Sequence, residues 1–142
     1  NILISRVLYS LSAGVTHSTQ YAMANMLKAA NDGVYNFLDD VKEYGRRANK
    51  LKKIFTKHHF HLVYDTDLKE PLADGFYFTV GYPGMIGSDL MKNLLFYGIS
   101  AISLNTTGSK QEGLRICTSF IQDCQYDVLD YRLECFNKDF PI

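Results

Sequence analysis

Apolar positions recur with a helical period through the first two fifths of the chain, and with a period of two in much of the remainder. Thr16 and Ser18 offer N-cap hydroxyls, and Ala22, Met23, Met26, Leu27 and Ala30 follow at helical spacing until Asn31-Asp32-Gly33 stops the run. A second pattern starts at once: Val34, Phe37, Leu38, Val41, Tyr44, Ala48, Leu51 and Phe55 share one face over about seven turns. At 1.5 Å per residue that is a rod of roughly 35 Å, long enough to span two layers or two domains. Its acids (Asp39, Asp40, Glu43) come early and its bases (Arg46, Arg47, Lys50, Lys52, Lys53, Lys57) late, as the helix dipole favours.

The period changes at about His58. Phe60, Leu62 and Tyr64 fall on one face of a strand, a polar turn runs from Asp65 to Asp74, and Gly75 to Val80 reads as a second strand antiparallel to the first. After Gly81-Tyr82-Pro83-Gly84, Ser88 is placed to cap a helix carrying Leu90, Met91, Leu94 and Leu95. Gly98 stands at its C′ position, with Ile99 able to pack back on Leu94. Strands are predicted from Ile99 to Leu104 and from Leu114 to Phe120, separated by a polar loop, and a last helix presents Leu129, Leu133 and Phe136. The predicted order is α-α-β-β-α-β-β-α.

Composition narrows the functional classes. The 142 residues are 46% hydrophobic, enough to build a core. Fifteen basic residues balance fifteen acidic ones, so no global field gathers nucleic acid or an anionic membrane. Apolar runs fall far short of the roughly 20 residues a membrane span needs. Cys117, Cys124 and Cys135 match no CxxC pattern, and a reduced, cytoplasmic setting is the expectation. The chain is apolar from Ile2 and lacks an initiator Met, which suggests a fragment of a longer protein.

Candidate chemistry is sparse. His59 and His61, in Lys57-His58-His59-Phe60-His61, would share one strand face, yet no third ligand accompanies them and no metal is expected. The basic run from Arg46 to Lys57 lacks the interleaved aromatics of a nucleic-acid track. Gly84-Met85-Ile86-Gly87-Ser88 leads into a helix N-terminus that could hold a phosphate but lacks a Walker lysine; Gly108-Ser109-Lys110 lacks the upstream glycine and downstream helix. Arg115, in Gly113-Leu114-Arg115-Ile116-Cys117, points away from two apolar neighbours. It is either a surface arginine in a weak ion pair or a rigidly mounted guanidinium able to grip a carboxylate through two parallel hydrogen bonds.

Several segments in order carry a resemblance: Ser12 to Ala22, the long helix with Tyr44-Gly45-Arg46-Arg47 and Leu51, Pro71 to Asp74 with Gly75-Phe76-Tyr77-Phe78, Leu94 to Ser100, and Gly113-Leu114-Arg115-Ile116. Together they resemble the C-terminal part of the fold-type I, class I/II aminotransferases that depend on pyridoxal 5'-phosphate. The resemblance implies an α/β (α+β two-layer) fold, with long N-terminal helices followed by a small mixed β-sheet packed with helices. Residues 1–58 would complete a large domain and form the interdomain helix, and residues 59–142 would be the small domain. Arg115 would bind the α-carboxylate of an amino-acid or 2-oxo-acid substrate.

The family's Schiff-base lysine, and most of its cofactor contacts, would lie upstream, so the resemblance places no catalytic residue in this chain. Lys110 is out of order for that role. Asp74 stands where a second glycine is common, and the loop before Gly113 carries Thr and Ser where many relatives carry Pro and Phe. A homodimer is implied for the full-length protein. In that family the cofactor is an electron sink for a carbanion at Cα, and a carboxylate clamp on a mobile small domain would orient the Cα–H bond and exclude water on closure. The alternatives are another reaction on the same scaffold, such as β-elimination or decarboxylation, and a non-catalytic α/β binding or dimerisation module.

Overall fold

The computed structural model describes residues 2–12, 14–72 and 75–142; Asp74, noted above as a departure from the family pattern, lies outside them. The chain forms two compact units, Asn1–Asp40 and Val41–Ile142.

In the first unit a π-helical segment, Leu3–Leu8, continues as a short helix, Tyr9–Ser12 (α1), an element the sequence pattern did not predict. The Ser12 hydroxyl donates to the Leu8 carbonyl at 2.7 Å, a back-bond of the kind that competes with regular helical pairing. Helix α2, His17–Asn31, follows Thr16 as expected, but neither Thr16 nor Ser18 caps it through a hydroxyl. The Gln20 amide instead donates to the Val15 carbonyl at 3.0 Å. No residue of α2 is buried within the chain.

Helix α3 is Phe37–Lys57, about a turn shorter than its apolar pattern. The amides of Val34 and Tyr35 both donate to the Ala29 carbonyl, so these residues close the end of α2 rather than open the next helix. Asn36 then starts α3, its side-chain oxygen accepting from the Leu38 amide at 3.2 Å.

The second unit is an α+β fold of two layers. Beyond Val41, α3 turns Ala48, Leu51, Ile54 and Phe55 inward. Four strands follow in the order β1 (His61–Leu62), β4 (Tyr77–Gly81), β6 (Leu114–Cys117) and β5 (Ile102–Ser103) across one sheet. All three pairings are antiparallel, a correction to the mixed sheet expected. Strands β2 (Thr66–Asp67) and β3 (Glu70–Pro71) form a separate ribbon inside the predicted polar turn. Phe78, Val80, Leu114 and Ile116 cover one sheet face and meet α3, α4 (Gly87–Phe96) and α5 (Tyr126–Asp139) in a single core.

Helix α4 shows how the connections are set. At its C-terminus Gly98, at φ +71°, lets its own amide reach the Leu95 carbonyl at 2.9 Å and the Ile99 amide reach that of Leu94 at 3.0 Å. That is a Schellman closure, as the sequence predicted. At its N-terminus Ser88 is not the cap. The helix begins one residue earlier, and the Glu112 carboxylate, 25 residues away, accepts from the Gly87 amide at 2.6 Å. A side chain at Gly87 would meet the Gly113 carbonyl at 2.6 Å, so this glycine allows the backbones to approach closely. Glu112→Ala removes a charged cap and is expected to cost about 1 kcal/mol in urea unfolding. A loss no greater than that at a neighbouring exposed residue would contradict the capping role.

Ion pairs run along α3 and tie it to the C-terminal segment, Asp123 in the 3-10 turn before α5 and Asp130 within α5. Arg46 bonds both Glu43 and Asp123 at 2.8 Å, Arg47 bonds Glu43 at 2.7 Å, and Lys57 and His58 converge on Asp130 at 2.6 and 2.7 Å. Hydrogen bonds from Arg46 and Arg47 pull the Glu43 carboxyl from 4.5 down to about 2. Asp123 is lowered chiefly by Arg46, and Asp130 chiefly by Lys57. A depressed carboxyl stabilises the fold above its unfolded value and loses that contribution as pH falls through its folded value. Stability is therefore expected to decline between pH 4.5 and about 2. Glu43→Gln should flatten part of that decline, as urea midpoints measured against pH would show. Equal slopes in the two proteins would overturn the assignment.

Candidate carboxylate site

Strand β6 alternates as the sequence implied, with Leu114 and Ile116 buried in the core and Arg115 and Cys117 half-buried on the other face. It is a central strand: Arg115 stands opposite Thr79 of β4 on one side and Ile102 of β5 on the other. Tyr77, diagonally placed across the β4–β6 pair, lies under the guanidinium, whose central carbon is 4.4 Å from the ring centroid. The contact is a cation–π one and engages none of the guanidinium N–H groups in a hydrogen bond to a described residue.

Arg115 has no hydrogen-bond or ion-pair partner among the described residues. Arg46 and Arg47 are engaged by carboxylates, and Arg132 donates to the Gly98 carbonyl at 2.8 Å. Beside Arg115 opens a cavity of about 420 Å³ walled by Tyr77, Ile102, Cys117, Phe120 and Ile121 among others, in which Arg115 is the one charged residue. The loop that closes it is anchored at Thr118, fully buried, whose amide and hydroxyl both donate to the Phe76 carbonyl at 2.9 and 3.0 Å. The surroundings suit a carboxylate brought in by a ligand: a strand-mounted cation unpaired among the described residues, beside largely apolar walls.

The other sequence candidates are not brought to this site. His59 lies in a left-handed turn at φ +68° that ends α3, so it does not share a strand face with His61. Among the described residues no three His, Cys, Asp or Glu side chains gather in a way that could hold a metal ion. The N-terminus of α4 is occupied by Glu112, which excludes the phosphate reading there on electrostatic grounds. In the Gly108 loop, Ser109 shares a hydrogen bond with the Tyr64 hydroxyl at 2.7 Å and accepts from the Gln111 amide at 2.9 Å. The basic run of α3 is partly spent on Glu43, Asp123 and Asp130. The three cysteines are free.

Sequence reasoning missed the partners of Arg115. Tyr77 alternates with the core residues Phe78 and Val80, which places it on the outer face, but nothing local says which strand lies beside it. It also missed His58, which is buried, with Nε2 2.7 Å from Asp130 and Nδ1 3.4 Å from the Asn137 amide nitrogen.

None of the ten lysines of the chain lines the cavity. No helix of the described residues is long and apolar enough to cross a membrane.

Fold and site together define an α+β domain that presents, beside a largely apolar cavity, an arginine unpaired among the described residues. No protein-family profile matches this chain, and no curated protein does. Among solved structures, a NIFS-like protein is similar over 70% of this chain, at 22% identity and a TM-score of 0.46. The chain spans 27% of that protein's length.

Proposed function

We propose that this chain is the C-terminal part of a fold-type I, pyridoxal 5'-phosphate-dependent aminotransferase, an enzyme that transfers an amino group between an amino acid and a 2-oxo acid. In this reading residues 1–58 complete the large domain and form the interdomain helix, residues 59–142 are the small domain, and the full-length protein is a cytoplasmic homodimer. The observation that carries it is Arg115: mounted on a central strand, stacked on Tyr77, and lacking a carboxylate partner among the described residues. The ordered sequence segments that resemble the family support it as well. So does the first unit, where Met23, Met26, Leu27 and Val34 are all exposed, as expected of helices that belong against a larger body.

The chain's own residues supply recognition. Arg115 offers two parallel N–H groups to the substrate carboxylate, and the Tyr77 ring beneath the guanidinium supports it. Side-chain positioning follows, because a carboxylate held at two points fixes the direction of the bond to Cα.

The cofactor's lysine comes from outside these residues, and that is the test. Borohydride reduction of the full-length protein with pyridoxal phosphate, followed by peptide mapping, should label one lysine upstream of residue 1. The 142-residue chain treated in the same way should show no stoichiometric label at any of its ten lysines. Stoichiometric labelling of a single lysine within this chain would overturn the reading.

A further inference from the structure

Among the described residues Arg115 is the single charge lining a cavity of about 420 Å³, and on its β5 side the residue opposite it in register is Ile102. We propose that this cavity takes a monocarboxylate bearing an apolar or aromatic tail, in preference to a dicarboxylate. The proposal names the substrate class for the site above, and for its catalytic meaning it rests on that reading.

One guanidinium neutralises one carboxylate. The Tyr77 ring occupies the space beneath the guanidinium, 4.4 Å from its central carbon, so a ligand carboxylate meets the N–H groups from the cavity side with its tail along the cavity wall. That wall is Ile102, Phe120 and Ile121, with Ala101 and Ile99 behind them. A second carboxylate would find no second cation among the described lining residues, only the neutral hydroxyls of Ser100 and Tyr77, which do not neutralise its charge. An apolar tail gains affinity instead, about fourfold for each methylene removed from water. The volume is within the range of small-molecule sites, with room for a phenyl ring. Residues opposite each other on antiparallel strands have Cβ atoms about 5 Å apart, so a change at Ile102 acts next to the guanidinium.

The 142-residue chain, labelled at its isoleucine methyls, can be titrated with 3-phenylpropanoate, its uncharged amide and succinate. Saturating shifts at Ile102 and Ile121 are expected with 3-phenylpropanoate, and affinities about tenfold or more weaker for the amide and for succinate. Arg115→Gln should weaken 3-phenylpropanoate by a similar factor. Ile102→Lys, at a surface-reaching position that tolerates a long polar side chain, should reverse the order of succinate and 3-phenylpropanoate. Equal affinities for the three probes on the unaltered chain would overturn the proposal, as would unchanged binding in Arg115→Gln. Apolar preference retained, with turnover of the full-length protein untouched by Arg115→Gln, would instead sink the catalytic reading and leave the cavity assignment standing. Turnover lost without any apolar preference would do the reverse.

Discussion

Arg115→Gln in the full-length protein is expected to lower kcat/KM for the amino-acid substrate by roughly thirty-fold to several thousand-fold. Removing one side of a desolvated charge pair costs on the order of 2–5 kcal/mol, and each 1.4 kcal/mol is about tenfold in rate. Here the pair would form beside Tyr77 and a cavity wall that is itself open to solvent, Ile102 being 42% and Phe120 83% exposed, so screening draws the loss toward the lower end of that range. Arg115→Lys should recover only part of the loss, since an ammonium keeps the charge but not the planar fork or the stack on Tyr77. Cofactor absorbance should be the same in all three proteins, because in the proposed reading Arg115 would reach substrate and not pyridoxal phosphate. Steady-state kinetics beside absorbance spectra make the comparison. Unchanged kcat/KM in Arg115→Gln would return the arginine to the role of a surface residue.

Phe136→Ala should be among the most destabilising single changes in the second unit, by about 3–5 kcal/mol. Phe136 is fully buried, and its ring lies 5.9 Å from Phe60, 5.0 Å from Tyr82, 5.6 Å from Tyr97 and 4.9 Å from Phe140. Truncation leaves a void among rings held on four different segments, so collapse to fill it is limited. Against a total margin of about 5–15 kcal/mol, that is a large share. Urea unfolding should show a lower midpoint with an unchanged slope. Phe120→Ala, at a ring 83% exposed, should change stability by less than about 0.5 kcal/mol. Similar losses for the two would contradict the packing described.

Most of the elements were legible because their signals are local. The Asn31-Asp32-Gly33 stop, the Gly98 closure and the inward stripe of Leu129, Leu133 and Phe136 each involve contacts within a turn or two, and each is present as read. The strand signals were right in place and long in extent. The run from Ile99 to Leu104 yields only Ile102–Ser103, because the chain enters a 3-10 turn at Leu104 and Ile99 is taken by the end of α4. The α3 pattern overran its start for a similar reason, since Val34 and Tyr35 are apolar but their amides already serve α2.

By itself the sequence determined the order of helical and extended segments from α2 onward and the alternation that sends Arg115 away from Leu114 and Ile116. All of these follow from periodicity and capping, which act over a few residues. The tertiary structure decided what surrounds that arginine. Tyr77 beneath it, Ile102 opposite it, the antiparallel order of the sheet and the Glu112 cap on α4 each join residues distant along the chain. Strand partnership of that kind is set by which apolar faces can be buried together, a global condition that the local pattern along the chain does not encode.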